Sequence, residues 1–180
     1  MYGMIHRGLR QMVVDRLGEE AWKALEHGLG TGPQDMISAM VYDDGLTVNM
    51  VAAAADLLEM PMEECLKAFG RSWIRFAERG SFGAIMDFTG RDLPGFIANL
   101  DRMHQAVVAA MPEARVPSFA LVRDVSGDLL VQYRSERDGL EALVVGLLEG
   151  LMDRFDIAGE VRQVTSTSNA VEFQLLYQPG

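Results

Sequence analysis

The 180 residues carry 16 Lys and Arg against 26 Asp and Glu, a formal net charge of −10, and 49% of the chain is hydrophobic. The acidity argues against a nucleic-acid partner, because phosphate binding needs clustered basic groups, while the apolar share suffices for one domain, or two tightly joined subdomains, with a core of its own. No run of about 18 apolar residues offers a membrane span, no secretory apolar stretch opens the chain, and the single Cys65 leaves neither a disulfide nor a Cys-cluster zinc site; the expected compartment is the cytoplasm.

Residues 1–111 read as helical. Ile5, Leu9, Met12, Val13 and Leu17 form a first apolar stripe at helical spacing, and Trp22, Leu25 and Leu29 a shorter one ending at Gly28 and Gly30. After a loop through Gly32 and Pro33, an alanine-rich helix is expected over 47–59, stopped by Pro61. Another follows over 62–78, broken near Gly80 and Gly83, with Cys65 as a packed thiol inside it. A short helix over 82–88 comes next. Asp92 is a candidate N-cap, with Pro94 tolerated in the first turn, for a helix over 92–111. Its apolar face is Leu93, Phe96, Ile97, Leu100, Val107, Val108 and Met111, and His104 shares that face.

Beyond Pro112 the period shortens to two. Residues 118–123 and 129–137 read as strands joined by a turn at Ser126, Gly127 and Asp128. Residues 139–155 give the clearest helix, with Leu140, Leu143, Val144, Leu147, Leu148, Leu151, Met152 and Phe155 on one stripe. Two strands close the chain, the last with Val171, Phe173, Leu175 and Tyr177 on one face. The expected fold is α+β, in one domain over 1–180. A mainly helical N-terminal subdomain (1–112) packs over a C-terminal antiparallel sheet with one long helix (113–180).

Two sets of side chains carry chemistry. His104 points where the aliphatic residues point and offers an imidazole nitrogen to a metal. Thirteen residues later stands Pro117, and then Tyr133-Arg134-Ser135-Glu136-Arg137. On an extended strand Tyr133, Ser135 and Arg137 share a face, two hydroxyls and a guanidinium suited to holding carboxylates. Taken singly, a histidine on an apolar face is more often a hydrogen-bonded core residue, and such a stripe is usually a plain strand surface. Together they suit a cofactor with one metal and two carboxylates, which is haem. Of the remaining polar residues, His6 is expected to be solvated or bonded to backbone, His27 to sit at a helix C-terminus, and Asp43-Asp44-Gly45 to form a turn.

The chain resembles the H-NOX family, haem nitric oxide/oxygen-binding domains that include the haem domain of the soluble guanylate cyclase β subunit. The resemblance runs through Met1-Tyr2-Gly3, Tyr42-Asp43-Asp44, the 51–55 Val-Ala run, Phe69-Gly70, Asn99-Leu100-Asp101 ahead of His104, Pro117-Ser118-Phe119, and Tyr133-x-Ser135-Glu136-Arg137-x-Gly139-Leu140. It implies haem b between the two subdomains, His104 as the proximal iron ligand, Tyr133, Ser135 and Arg137 on the propionates, and Pro117 pressed against the macrocycle. It also implies a pocket on the far side of the haem, at Ile5, Trp73, Leu143 and Leu147.

Family members that hold oxygen stably carry a tyrosine on the helix where this chain has Leu143, and no tyrosine lies between Tyr133 and Tyr177. Oxygen on ferrous haem is held by a hydrogen-bond donor worth about 1–3 kcal/mol, whereas nitric oxide binds without one. The resemblance therefore implies a sensor of nitric oxide, also binding CO, that regulates a separate effector such as a histidine kinase or a cyclic-di-GMP cyclase or phosphodiesterase. Trp73 is a departure, since the cyclase relative carries phenylalanine there; its indole N–H is expected to find a protein partner or point away from the iron. Two other readings stand beside this one: an oxygen sensor or carrier, and a haem-independent interaction module. No catalytic constellation or phosphate loop is evident, so no enzymatic activity is expected.

Overall fold

The computed structural model describes residues 1–167 and 170–178. Helices α1 (Gly3–Leu17), α2 (Glu19–Leu29), α3 (Asp44–Leu57) and α4 (Met62–Arg79), with a 3₁₀ turn at Pro33–Met36, build the N-terminal half. Their inward faces close around Leu9, Met12, Val13, Trp22, Met50, Ala54 and Phe69. The stripe read for α1 holds except at its end: Leu17 is 45% exposed, because the chain turns at Gly18 and carries the last turn past the core. Asp43 caps α3 by accepting from the Gly45 N–H at 2.8 Å, which satisfies a donor the helix leaves orphaned.

Short α5 (Gly83–Thr89) leads to a correction. The single helix expected over 92–111 is two, α6 (Leu93–Ala98) and α7 (Leu100–Ala110), separated at Asn99. The Asn99 side-chain amide donates to the Gly95 carbonyl at 2.9 Å, beside the Asn99 backbone N–H. An asparagine that bonds its own preceding turn competes with continuation of the helix. The Asp92 cap and Pro94 are as expected, with the Asp92 carboxylate accepting from the Gly95 N–H at 2.7 Å.

The C-terminal half is a four-stranded antiparallel sheet in the order β1-β2-β4-β3, formed by β1 (Ser118–Val125), β2 (Asp128–Arg134), β3 (Gly159–Ser166) and β4 (Val171–Tyr177). Helix α8 (Glu141–Arg154) links β2 to β3. Alternation puts Leu129, Val131 and Tyr133 of β2 and Val171, Phe173 and Leu175 of β4 on the buried face, against α6 and α8, in a core with Phe96, Ile97, Val144 and Leu148. Burying each such aliphatic or aromatic side chain contributes about 1.5–3 kcal/mol. The hairpin turn between β1 and β2 rests on Gly127, whose φ of 83° suits a residue without Cβ.

The two cores meet where α4 crosses α8. A Cβ on Gly70 would strike the Leu143 carbonyl, and one on Gly146 the Lys67 carbonyl, so these glycines permit the close approach of the helices. Trp73, one turn beyond Gly70, packs against both cores. Among the described residues no helix is long and apolar enough to cross a membrane.

Candidate functional site

His104 stands in the middle of α7, half-buried. Its Nδ1 lies 2.9 Å from the Pro117 carbonyl oxygen. A carbonyl only accepts, so Nδ1 carries the proton and Nε2 keeps its lone pair. Burial lowers the His104 pKa from the ordinary imidazole value, outweighing the bond to Pro117 and the field of Asp101 that raise it. A neutral ring with one nitrogen fixed by a backbone carbonyl and the other free is the form in which histidine binds metals. Phe119 flanks it, ring centroids 5.9 Å apart.

Asp101, one turn earlier on α7, holds this geometry together. Its carboxylate accepts from the Phe119 N–H at 2.6 Å and from the Ser118 hydroxyl at 2.7 Å. The helix carrying His104 is thus bound to the first two residues of β1, immediately after Pro117. Asp101 belonged to a motif recognised in the sequence, but its partners lie 17 and 18 residues away, beyond what a local pattern shows.

The second set differs from its expected geometry. The strand read over 129–137 ends at Arg134, and Ser135 and Arg137 lie in the bend that follows. Only Tyr133 remains in the sheet, 5% exposed, paired in register with Phe119 and packed edge-on against Phe173. The bend is stabilised locally: the Ser135 hydroxyl accepts from the Arg137 N–H at 2.9 Å, a Ser-turn that competes with the sheet ladder. A bond between the Tyr133 and Ser135 side chains lowers the Tyr133 pKa, although burial dominates and raises it. The three groups are still neighbours, brought together by a turn rather than by strand alternation.

Arg137 already holds a carboxylate. Its Nε donates to Asp44 Oδ2 at 2.8 Å and its Nη2 to Asp44 Oδ1 at 3.3 Å, while Nη1 donates to the Arg115 carbonyl at 2.9 Å. The N-terminal ammonium of Met1 donates to the same Asp44 at 2.7 Å and also to the Tyr42 carbonyl. Two cations hold the Asp44 carboxyl down to about 2, the hydrogen bond from Arg137 contributing most. Asp43 makes the turn that the sequence led one to expect, but Asp44 is an ion-pair centre joining the helical half to the bend. An open cavity of about 230 Å³ adjoins it, lined by Ala114, Arg115, Val116, Ser135, Glu136 and Arg137.

The residues expected to line the far side of a haem come from separate elements: Ile5 from α1, Trp73 from α4, and Leu143 and Leu147 from α8, all half-buried. The benzo edge of Trp73 lies over Gly8, where a Cβ would fall 2.7 Å from Cε3, and Phe69 and Phe76 flank the ring. Of the two placements expected for the indole N–H, a protein partner is not found: it has no hydrogen-bond partner among the described residues. His6 is wholly buried, with Nδ1 2.6 Å from the Asp35 carbonyl and Nε2 2.8 Å from the Thr47 hydroxyl; its role is to tie α1 to the 3₁₀ turn and α3.

The residues present fit haem. His104 offers a neutral nitrogen, and the Asp44 carboxylate in the fork of Arg137 shows that this guanidinium is a carboxylate receptor.

Comparison with known proteins is consistent with this chemistry. A family model described as Haem-NO-binding matches residues 2–163. Soluble guanylate cyclase gcy-35 of Caenorhabditis elegans is 31% identical over 160 residues, 86% of this chain and 23% of that protein. Guanylate cyclase soluble subunit beta-2 of Rattus norvegicus is 32% identical over 94 residues, 52% of this chain and 14% of that protein. The chain thus spans less than a quarter of the length of these relatives. An H-NOX protein from S. oneidensis in its Fe(II) state has a TM-score of 0.87 at 23% identity, covering 99% of this chain and 96% of that one. An oxygen-binding H-NOX domain related to soluble guanylate cyclases has a TM-score of 0.81 at 19% identity, covering 98% and 95%. At such identities these structures establish the fold.

Proposed function

The chain belongs to the Haem-NO-binding family, and we propose that it is a nitric oxide sensor, working as one domain, that passes its signal to a separate effector. His104 would take the iron through Nε2, Tyr133, Ser135 and Arg137 would hold the propionates, Pro117 would bear on the macrocycle, and Ile5, Trp73, Leu143 and Leu147 would line the gas side. Haem b bound there supplies a ferrous iron able to take up NO or CO. The observation that carries the reading is the His104–Pro117 bond, which leaves a neutral, oriented nitrogen without a partner among the described residues.

The chain's own residues supply the coupling. A pull on His104 is transmitted directly to the Pro117 carbonyl, and through Asp101 to the start of β1. At the other end Arg137 joins the bend to Asp44 and the N-terminus. To hold a propionate, Arg137 must share or release Asp44, so cofactor binding and the contact between the two halves draw on the same guanidinium. A tenfold change in effector activity needs about 1.4 kcal/mol of difference between two such arrangements.

The oxygen reading is retained on one observation, the N–H of Trp73, which has no hydrogen-bond partner among the described residues, where the other residues proposed for the gas side, Ile5, Leu143 and Leu147, are aliphatic. Absorption spectra separate the two. Purified protein should show a Soret band; its ferrous form should change with NO and form no stable complex in air. A stable shift in air supports the oxygen reading, and failure to take up haem on reconstitution overturns both.

A further inference from the structure

Between α1 and α4 lies an open cleft of about 360 Å³ lined by Gln11, Asp15, Ser72, Arg75, Phe76 and Arg79, with Gly80 at the end of α4. We propose that this cleft binds a small phosphate-bearing ligand, at a site separate from the one that fits haem. The volume is within the ~300–1,000 Å³ of small-molecule sites.

Arg75 and Arg79 are one turn apart on α4, so both guanidiniums reach the same side of the cleft. Neither closes an ion pair among the described residues, whereas Arg71, a turn earlier, is held by Asp153 at 2.6 Å, and Arg154 by Glu78 and Asp87. Arg75 reaches Asp153 only as a secondary influence on that carboxyl. A cation near the end of α4 is favourable in itself; that does not account for Ser72.

Ser72 is 7% exposed and its hydroxyl has no hydrogen-bond partner among the described residues. A helical hydroxyl either bonds the carbonyl four residues back, as Thr89 does to Ile85 at 2.7 Å, or faces solvent. Ser72 instead contributes a donor to the wall of a cleft flanked by two guanidinium forks. A carboxylate would be satisfied by one fork, while a phosphate has oxygens for both and for the hydroxyl. The half-buried Phe76 ring gives the cleft an apolar wall for the rest of the ligand.

One lining group opposes an anion. Asp15 accepts from the Gln11 amide at 2.7 Å, which holds its carboxylate along α1 rather than against either arginine. This supplies a test of sign as well as of size. Titration calorimetry on the full chain, at constant ionic strength, would use inorganic phosphate and pyrophosphate as probes. We expect the paired variant Arg75→Gln/Arg79→Gln to lose at least about tenfold in affinity, Ser72→Ala to lose a few-fold, and Asp15→Asn to gain, each with an unchanged thermal unfolding curve. Tighter binding of pyrophosphate than phosphate marks a diphosphate-bearing ligand, and parity a monophosphate. Wild-type protein that binds neither probe at millimolar concentration, or arginine variants within twofold of wild type, would overturn the proposal. Because the protein is titrated without reference to haem, either result leaves the gas-sensing reading untouched.

Discussion

The two ends of the candidate haem site are secured by opposite physical means. At the His104 end the partners are near in sequence and mostly uncharged: a carbonyl 13 residues on, and an aspartate on the same helix that grips the start of β1. At the Arg137 end the partner is Asp44, 93 residues away, and the bond is ionic and shared with the N-terminus. The first arrangement fixes a direction, since a ring with one nitrogen pinned can present the other in only one way. The second fixes a charge balance, which a different carboxylate can enter. A site built like this is stiff where the metal would be and exchangeable where the carboxylates would be.

The strongest way to break the comparison is at the stiff end. His104→Gly should lower haem affinity by more than the roughly 10–100-fold typical for loss of a ligand's hydrogen-bond partner. Some haem should survive on the carboxylate contacts, and free imidazole should restore the wild-type absorption spectrum. Wild-type spectra without added imidazole would show that another residue is the ligand.

At the exchangeable end, Arg137→Ala should reduce haem retention more than Ser135→Ala, because only the former leaves a carboxylate without its cation. Equal occupancy in the two variants, expressed alike, would remove the propionate assignment.

Asp101→Asn tests whether stiffness depends on the anchor of α7. One carboxylate oxygen becomes an amide that cannot accept, so unfolding free energy should fall by about 1–3 kcal/mol, measured by urea denaturation. A variant as stable as wild type would mean that the Pro117 bond alone positions His104.

The smallest effect belongs to Asp44. Its folded pKa, about 2, is below the ordinary aspartate value of 3.8, so the ion pair contributes stability that is fully present above about pH 4 and is lost as pH falls through 2. With a side chain 45% exposed the pair is well screened, and the contribution is about 1 kcal/mol or less. Asp44→Asn should flatten that part of the acid-unfolding profile; an unchanged slope would show that Arg137 is held by other partners.

Much of this was legible in the chain. The helical stripes, the period-two strands of the C-terminal half and the long α8 follow from apolar spacing, which records which face each element buries. The Asp92 cap and Gly127 turn follow from local backbone chemistry. His104, Pro117 and the Tyr133-x-Ser135-x-Arg137 set were found from motif and resemblance, and the structure puts His104 beside Pro117 and Ser135 beside Arg137.

What periodicity misjudged were the places where a side chain competes with its own backbone. Asn99 divides a continuous apolar stripe into two helices, and Ser135 turns a strand into a bend; hydrophobic spacing is blind to both, since neither change requires a change in apolar pattern. Tertiary structure alone decided the partners. That Asp44 meets Arg137, and that Gly70 and Gly146 let α4 and α8 touch, depends on elements distant along the chain arriving at one point, and even the nearer meeting of Asp101 with Phe119 joins two separate elements. A sequence records which groups need a partner; which partner each one meets is set by how the faces pack.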